Sequence, residues 1–152
     1  MTALSSGEVE AYLHRHIPIS AAMGVKVILC DATGVRLRVP LAPNINHRAT
    51  VFGGSASAVA ILAAWTWLHF ALRTAELPSR LVIQSNTVDY LAPITDDFEA
   101  HCAALPAAAS EKFLRTLRRH GKARVELSAV LERGGETLAK FRGDYVAVRL
   151  EK

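Results

Sequence analysis

The sequence predicts an α+β protein in which a curved antiparallel β-sheet wraps around one long apolar central helix. Three observations predict it. Between Arg48 and Arg73 no side chain is formally charged, and a helix apolar on nearly every face must be covered on nearly every face. From Arg80 onward the chain alternates apolar and polar residues in stretches broken by Gly and Pro, the pattern of antiparallel strands. Finally, 152 residues with 51% hydrophobic and 21% charged side chains suit a single domain over residues 1–152. A domain of that size buries roughly 68–70% of its unfolded surface and needs no disulfide framework.

Residues 7–16 read as a short helix stopped ahead of Pro18. Gly24–Cys30 and Val35–Val39 flank the turn Asp31-Ala-Thr-Gly34 and form a hairpin, ended by Pro40 and Pro43. A loop over Asn44–Phe52 leads into the apolar helix, expected from about Gly54 to Thr74 with Pro78 beyond its end. Arg80–Leu91 and Phe98–Leu105 read as strands, the first a central one. Ser110 caps a short helix that runs to His120 and closes at Gly121. Ala123–Leu131 and Thr137–Arg149 complete a second hairpin around Arg133-Gly-Gly-Glu136.

Charge and cysteine content narrow the function classes. The formal net charge is +4, yet Glu111–Arg124 alone carries +5, which leaves −1 for the rest of the chain. One basic segment on a near-neutral chain favours a local anion site or a solvated face over a nucleic-acid surface. Cys30 and Cys102 show neither CxxC nor Cys/His ligand spacing. No metal site is expected, and both read as reduced, buried side chains of a cytoplasmic protein. His14 and His16 lie two apart on a helix and face different ways, a poor metal pair. The stretch Val51–Leu72 is long enough for a membrane span. Its fully apolar part, Ala58–Leu68, is too short to cross ~30 Å at 1.5 Å per residue, and Met1–Glu10 lacks the regions of a signal peptide. No membrane partner is expected.

Several motifs recur in a fixed order: Pro43-Asn44, Thr50-Val-Phe-Gly-Gly-Ser55, Trp65, Asp89-Tyr-Leu-Ala-Pro93, Gly121-Lys-Ala-Arg124 and Phe141-Arg-Gly-Asp-Tyr145. Together they cover nearly the whole chain and resemble the hotdog-fold acyl thioesterases. The nearest likeness is to the thioesterase domain that some bacteria carry fused behind an N-acetyltransferase domain. The resemblance implies a hotdog fold and hydrolysis of an acyl thioester of coenzyme A or acyl carrier protein. It also implies a homodimer or larger oligomer. No cofactor is expected beyond the coenzyme A or phosphopantetheine that the substrate itself carries.

Gly53 and Gly54 have a physical reading independent of family. A helix start presents unpaired N–H groups and the positive end of the dipole, and without Cβ atoms a carbonyl can approach them closely. The alternative is that two glycines let helix and sheet pack together. The base is harder to place. Thioesterases of this kind commonly carry Asp or Glu on the central helix, and Gly54–Thr74 contains neither. Candidates elsewhere are Asn46, His47, Ser57 and Asp89: Asn46 to hold water, His47 for the basicity of an imidazole, and Asp89 in the polar run Gln84–Tyr90. Asn44, Phe52, Ser55, Asn86 and Tyr90 are the expected substrate contacts.

Arg118, Arg119, Lys122 and Arg124 suit the phosphates of coenzyme A or an acidic carrier protein, or else form a solvated basic face. Trp65, Trp67 and Phe70 read as core that also lines an acyl tunnel, and His69 as a satisfied buried histidine. Rival functions are a non-catalytic acyl-thioester-binding module, a dehydratase or hydratase using His47 with Asp89, and a single-pass membrane protein.

Overall fold

A computed structural model describes residues 3–151. Helix α1 (Ser6–His16) starts in a reciprocal capping box between Ser5 and Glu8. Pro18 does not end helical structure: with its fixed φ it takes the first turn of a second short helix, α2 (Pro18–Ala22). Strands β1 (Lys26–Asp31) and β2 (Gly34–Val39) follow, then helix α3 (Gly53–Thr74) and strands β3 (Ser79–Tyr90) and β4 (Phe98–Ala103). Helix α4 (Ala107–His120) precedes the long hairpin of β5 (Lys122–Arg133) and β6 (Glu136–Arg149). Helix α4 begins after Pro106, four residues earlier than a Ser110 cap would place it, and closes on left-handed Gly121.

All strands pair antiparallel in one sheet of order β1-β2-β4-β5-β6-β3. This curved sheet around α3 is the hotdog fold. Helix α3 is long and apolar enough to cross a membrane, but here it is the core helix. Val59, Ala60, Ala63 and Ala64 on it are fully buried. The buried Tyr145 of β6 donates its hydroxyl to the Ile61 carbonyl in mid-helix at 2.7 Å, fixing helix to sheet.

Strand β3 is an edge of the sheet, not a central strand. Its partner β6 lies some fifty residues later in the chain, a pairing that local alternation does not encode. A register shift between Ile83 and Ser85 sorts its side chains. Asn86, Val88 and Tyr90 align with Gly143, Phe141 and Ala139 on the helix side. Arg80, Val82, Ser85, Thr87 and Asp89 occupy the convex face.

Candidate active site

The site is built around the start of α3. Phe52 holds the N-cap position and no side chain caps the helix. The first turn contains no acidic residue, so the helix itself brings no carboxylate to the positive end of the dipole. Tyr90 crosses from the end of β3 and donates its hydroxyl to the Gly53 carbonyl at 3.1 Å. Beside this point lies a cleft of about 360 Å³ lined by Thr50, Val51, Ala56, Tyr90 and the Leu91–Ile94 segment. Apart from the Tyr90 phenol, none of these lining side chains is ionisable.

The glycine pair is not required by helix–sheet packing. A Cβ at Gly53 would meet only the Tyr90 ring, at an ordinary 3.8 Å or more. A Cβ at Gly54 would first meet the Phe52 ring, at 2.5 Å, on a side chain that is 58% exposed. At both positions the nearest atoms belong to these rings, not to sheet backbone. What the missing side chains leave open is the approach to the helix N-terminus, because Cβ atoms tilt toward that end. Ser55 supplies the third residue of the same turn and is half-buried.

The preceding loop is pinned by Asn46. Its side-chain oxygen accepts from the backbone N–H groups of Arg48 (2.9 Å) and Thr50 (3.1 Å), and its amide donates to the Thr50 hydroxyl at 2.8 Å. Ala49 is held at a left-handed φ of 61°, a local cost of roughly 1–2 kcal/mol that the loop offsets. His47 projects from this loop and is exposed.

Asn44 is buried, donating to the carbonyls of Met23 (2.9 Å) and Pro40 (2.8 Å), while its own backbone carbonyl accepts from Phe52 N–H at 2.7 Å. Its role in this geometry is to brace the loop. Its Oδ1 has no partner among the described residues. Thr50 lines the cleft and is held by Asn46; its significance was hidden in sequence because the closure Asn46–Thr50 is made by side chains, not by pattern.

The structure does not bring all the expected site residues together. Asp89 sits on the convex face, opposite to its neighbour Tyr90, so within one chain it does not face the helix start. Asn86 is on the helix side and exposed. Arg118 and Arg119 end α4, and Lys122 and Arg124 begin β5, at the end of the sheet remote from Gly53. Arg124 is engaged with Asp144 at 3.3 Å.

His69 is half-buried rather than satisfied by hydrogen bonding. It stacks between Trp65 (centroids 4.5 Å apart) and Tyr12 (5.2 Å), and its Nε2 has no partner among the described residues. Burial, with smaller contributions from the Arg73 and His16 charges, pushes its pKa down to about 4. Both cysteines are free. Burial pushes the Cys102 thiol up to about 12, and burial together with the Asp31 charge pushes Cys30 up to about 11. Neither is a ready nucleophile. Among the described residues no three His, Cys, Asp or Glu side chains gather as metal ligands.

An apolar core helix wrapped by one antiparallel sheet is the hotdog architecture, and here its uncapped, glycine-led start stands beside a cleft. Residues 6–149 match the family described as "Putative thioesterase (yiiD_Cterm)", and the chain belongs to that family. It is similar to a protein of unknown function from Chlorobaculum tepidum (28% identity, TM-score 0.89), with 95% of this chain and 94% of that one covered. It is also similar to a putative thioesterase from Shewanella oneidensis, at 28% identity and TM-score 0.83, covering 94% of this chain and 96% of that one. A thioesterase from Haemophilus influenzae shares the fold at 9% identity and TM-score 0.76, with 99% and 95% covered.

Proposed function

We propose that this protein is a cytoplasmic acyl-thioester hydrolase acting on acyl groups carried by coenzyme A or acyl carrier protein. The observation that carries the reading is the uncapped start of α3, whose first two residues lack side chains and whose N–H groups meet no capping side chain beside the cleft. The thioester carbonyl would accept hydrogen bonds from the Gly53 and Gly54 N–H groups. These stabilise the oxyanion formed as water attacks, and each such donor contributes about 3 kcal/mol in other enzymes. His47 is the base this reading assigns, taking the proton of the attacking water, which the Asn46–Thr50 pair helps to hold. The protein works as a homodimer. An open twelve-residue edge strand, β3, supports this, since long unpaired edges in soluble proteins are covered or paired.

The test is thiol release from short- to long-chain acyl-CoA and acyl carrier protein thioesters, with Asn46→Ala, His47→Ala and Asp89→Ala beside the wild type. Turnover that falls a hundredfold in His47→Ala supports the assignment, and such a fall in Asp89→Ala alone transfers the role. Among the described residues that line the cleft there is no carboxylate, which favours one second reading, a non-catalytic acyl-thioester-binding module. Saturable acyl-CoA binding with no turnover on any substrate would establish that reading instead.

A further inference from the structure

The cleft beside the helix start has a floor and a rim of different make. Val51, Ala56 and Ile94 are at most 8% exposed, whereas Tyr90 and Leu91 are each 55% exposed. The buried three close the inner end and the exposed pair stand at the mouth. Main-chain bonds fix the walls. Val51 N–H donates to the Ile94 carbonyl at 2.8 Å, and the N–H groups of Leu91 and Ala92 share the Leu138 carbonyl at 2.9 and 3.2 Å. Ala56 N–H closes the first turn of α3 on the Phe52 carbonyl at 3.1 Å. A floor tied by backbone does not swing aside as a lone side chain can.

The cleft also ends early. Trp65, Trp67 and Phe70, the aromatic residues expected along an acyl tunnel, do not line it. Trp65 stands twelve residues beyond Gly53 on α3, about 18 Å along the axis, and its indole donates to the Leu81 carbonyl at 3.2 Å. Trp67 is buried in the core.

Volume then sets a length. A cavity of about 150 Å³ between Leu, Ile and Phe side chains holds a benzene ring in another protein. At that density about 360 Å³ takes on the order of fourteen carbon-sized atoms. About four of these belong to the carbonyl, the sulfur and the first methylene of the carrier, which leaves room for roughly eight to ten carbons of chain. The lining decides the chemistry of the chain. With no ionisable group but the Tyr90 phenol, a charged chain end would lose its water and gain no partner.

We infer that this site selects uncharged acyl chains of short to medium length, up to roughly eight to ten carbons, and that Ala56 and Ile94 set the limit. The inference rests on the reading of the helix start as a thioester site and adds which acyl group enters it.

Straight-chain acyl-CoA thioesters from acetyl to hexadecanoyl, each below its micelle concentration, test this. Over the chain lengths that fit, kcat/KM should rise roughly fourfold per methylene, then fall about tenfold or more from its best value by hexadecanoyl. Ala56→Leu adds three carbons to the floor and should make the best substrate about two to four carbons shorter; Ile94→Ala removes three and should lengthen it by as much. Should either variant fail to fold, the other still carries the shift. Adipoyl-CoA should react on the order of a hundredfold more slowly than hexanoyl-CoA. A best substrate of about fourteen carbons or longer, variants that leave the profile in place, or an adipoyl thioester that matches hexanoyl overturns the inference while the hydrolase reading stands.

If the wild type turns over no thioester, the hydrolase reading fails by itself. Calorimetry with S-alkyl coenzyme A thioethers, which cannot be hydrolysed, then reads the same cleft. Affinity that rises with each methylene and levels off near roughly eight to ten carbons, at a length that the two variants shift, supports the inference. Affinity that still climbs at hexadecyl, or no binding at any length, overturns it.

Discussion

Placing a single methyl group on the first turn of α3 separates a glycine that lets a substrate approach from one that lets helix and sheet pack. Consider Gly53→Ala and Gly54→Ala. At Gly53 the new Cβ lies 3.8 Å from the Tyr90 ring, an ordinary contact. At Gly54 it displaces the Phe52 ring, which is 58% exposed and can swing into solvent at little cost. Replacing a helical Gly by Ala stabilises by roughly 0.5–1 kcal/mol, and 1 kcal/mol is about 2–4 °C in Tm for a domain of this size. Both variants should therefore melt at or slightly above the wild-type temperature. Turnover should move the other way. The methyl tilts toward the helix N-terminus, where the carbonyl must sit, and loss of one donor at about 3 kcal/mol is on the order of a hundredfold in kcat/KM. Calorimetric melting and thiol release on the same preparations read both quantities. A Tm lowered by about 4 °C or more with kcat/KM within about twofold of wild type would show the glycines to be packing residues and refute the reasoning.

Three further outcomes follow from particular contacts. Tyr145→Phe removes the 2.7 Å bond to the Ile61 carbonyl and should cost about 1 kcal/mol in urea unfolding while leaving KM unchanged. Asn46→Ala removes three hydrogen bonds that hold the loop; limited proteolysis should cut faster near Arg48, and equal rates would show that the loop holds itself. The His69 imidazole has a folded pKa of about 4 against about 6.5 unfolded. Between those values the unfolded chain binds the extra proton, so stability falls as pH drops through the window and the loss is complete below about 4. Because the ring is half exposed, the loss is on the order of 1–2 kcal/mol. His69→Phe should flatten this part of the Tm–pH curve, and parallel curves would contradict the assignment.

The fold was legible because its main determinant is local. A chain segment without charge from Ala49 to Leu72 demands cover on all sides, and the only material left to cover it alternates at period two. The helix start was legible for the same reason: Gly53 and Gly54 stand at the boundary where that segment begins. Side-chain closures were not legible. Asn46 looked like a residue for holding water, yet most of its hydrogen-bonding capacity goes to Arg48 and Thr50. Asn44 looked like a substrate contact and instead braces Met23, Pro40 and Phe52. Such bonds depend on where a turn brings the backbone, which residue types at a given spacing do not fix.

The polar run Gln84–Tyr90 shows how one chemical fact changes meaning with its place in the sheet. Inside a central strand those groups would need a wet cavity or hydrogen-bonding partners, because burying them unpaired is costly. Strand β3 is an edge, so water satisfies them in an isolated chain and polarity alone no longer requires a cavity. What it does require is an answer to the edge itself, since twelve residues of unpaired backbone invite another strand. Neither Lys nor Pro interrupts the run from Arg80 to Tyr90, and the two charges near its ends are opposite in sign. An edge protected against pairing carries like charges or breakers; this one carries a pattern that its own reverse complements.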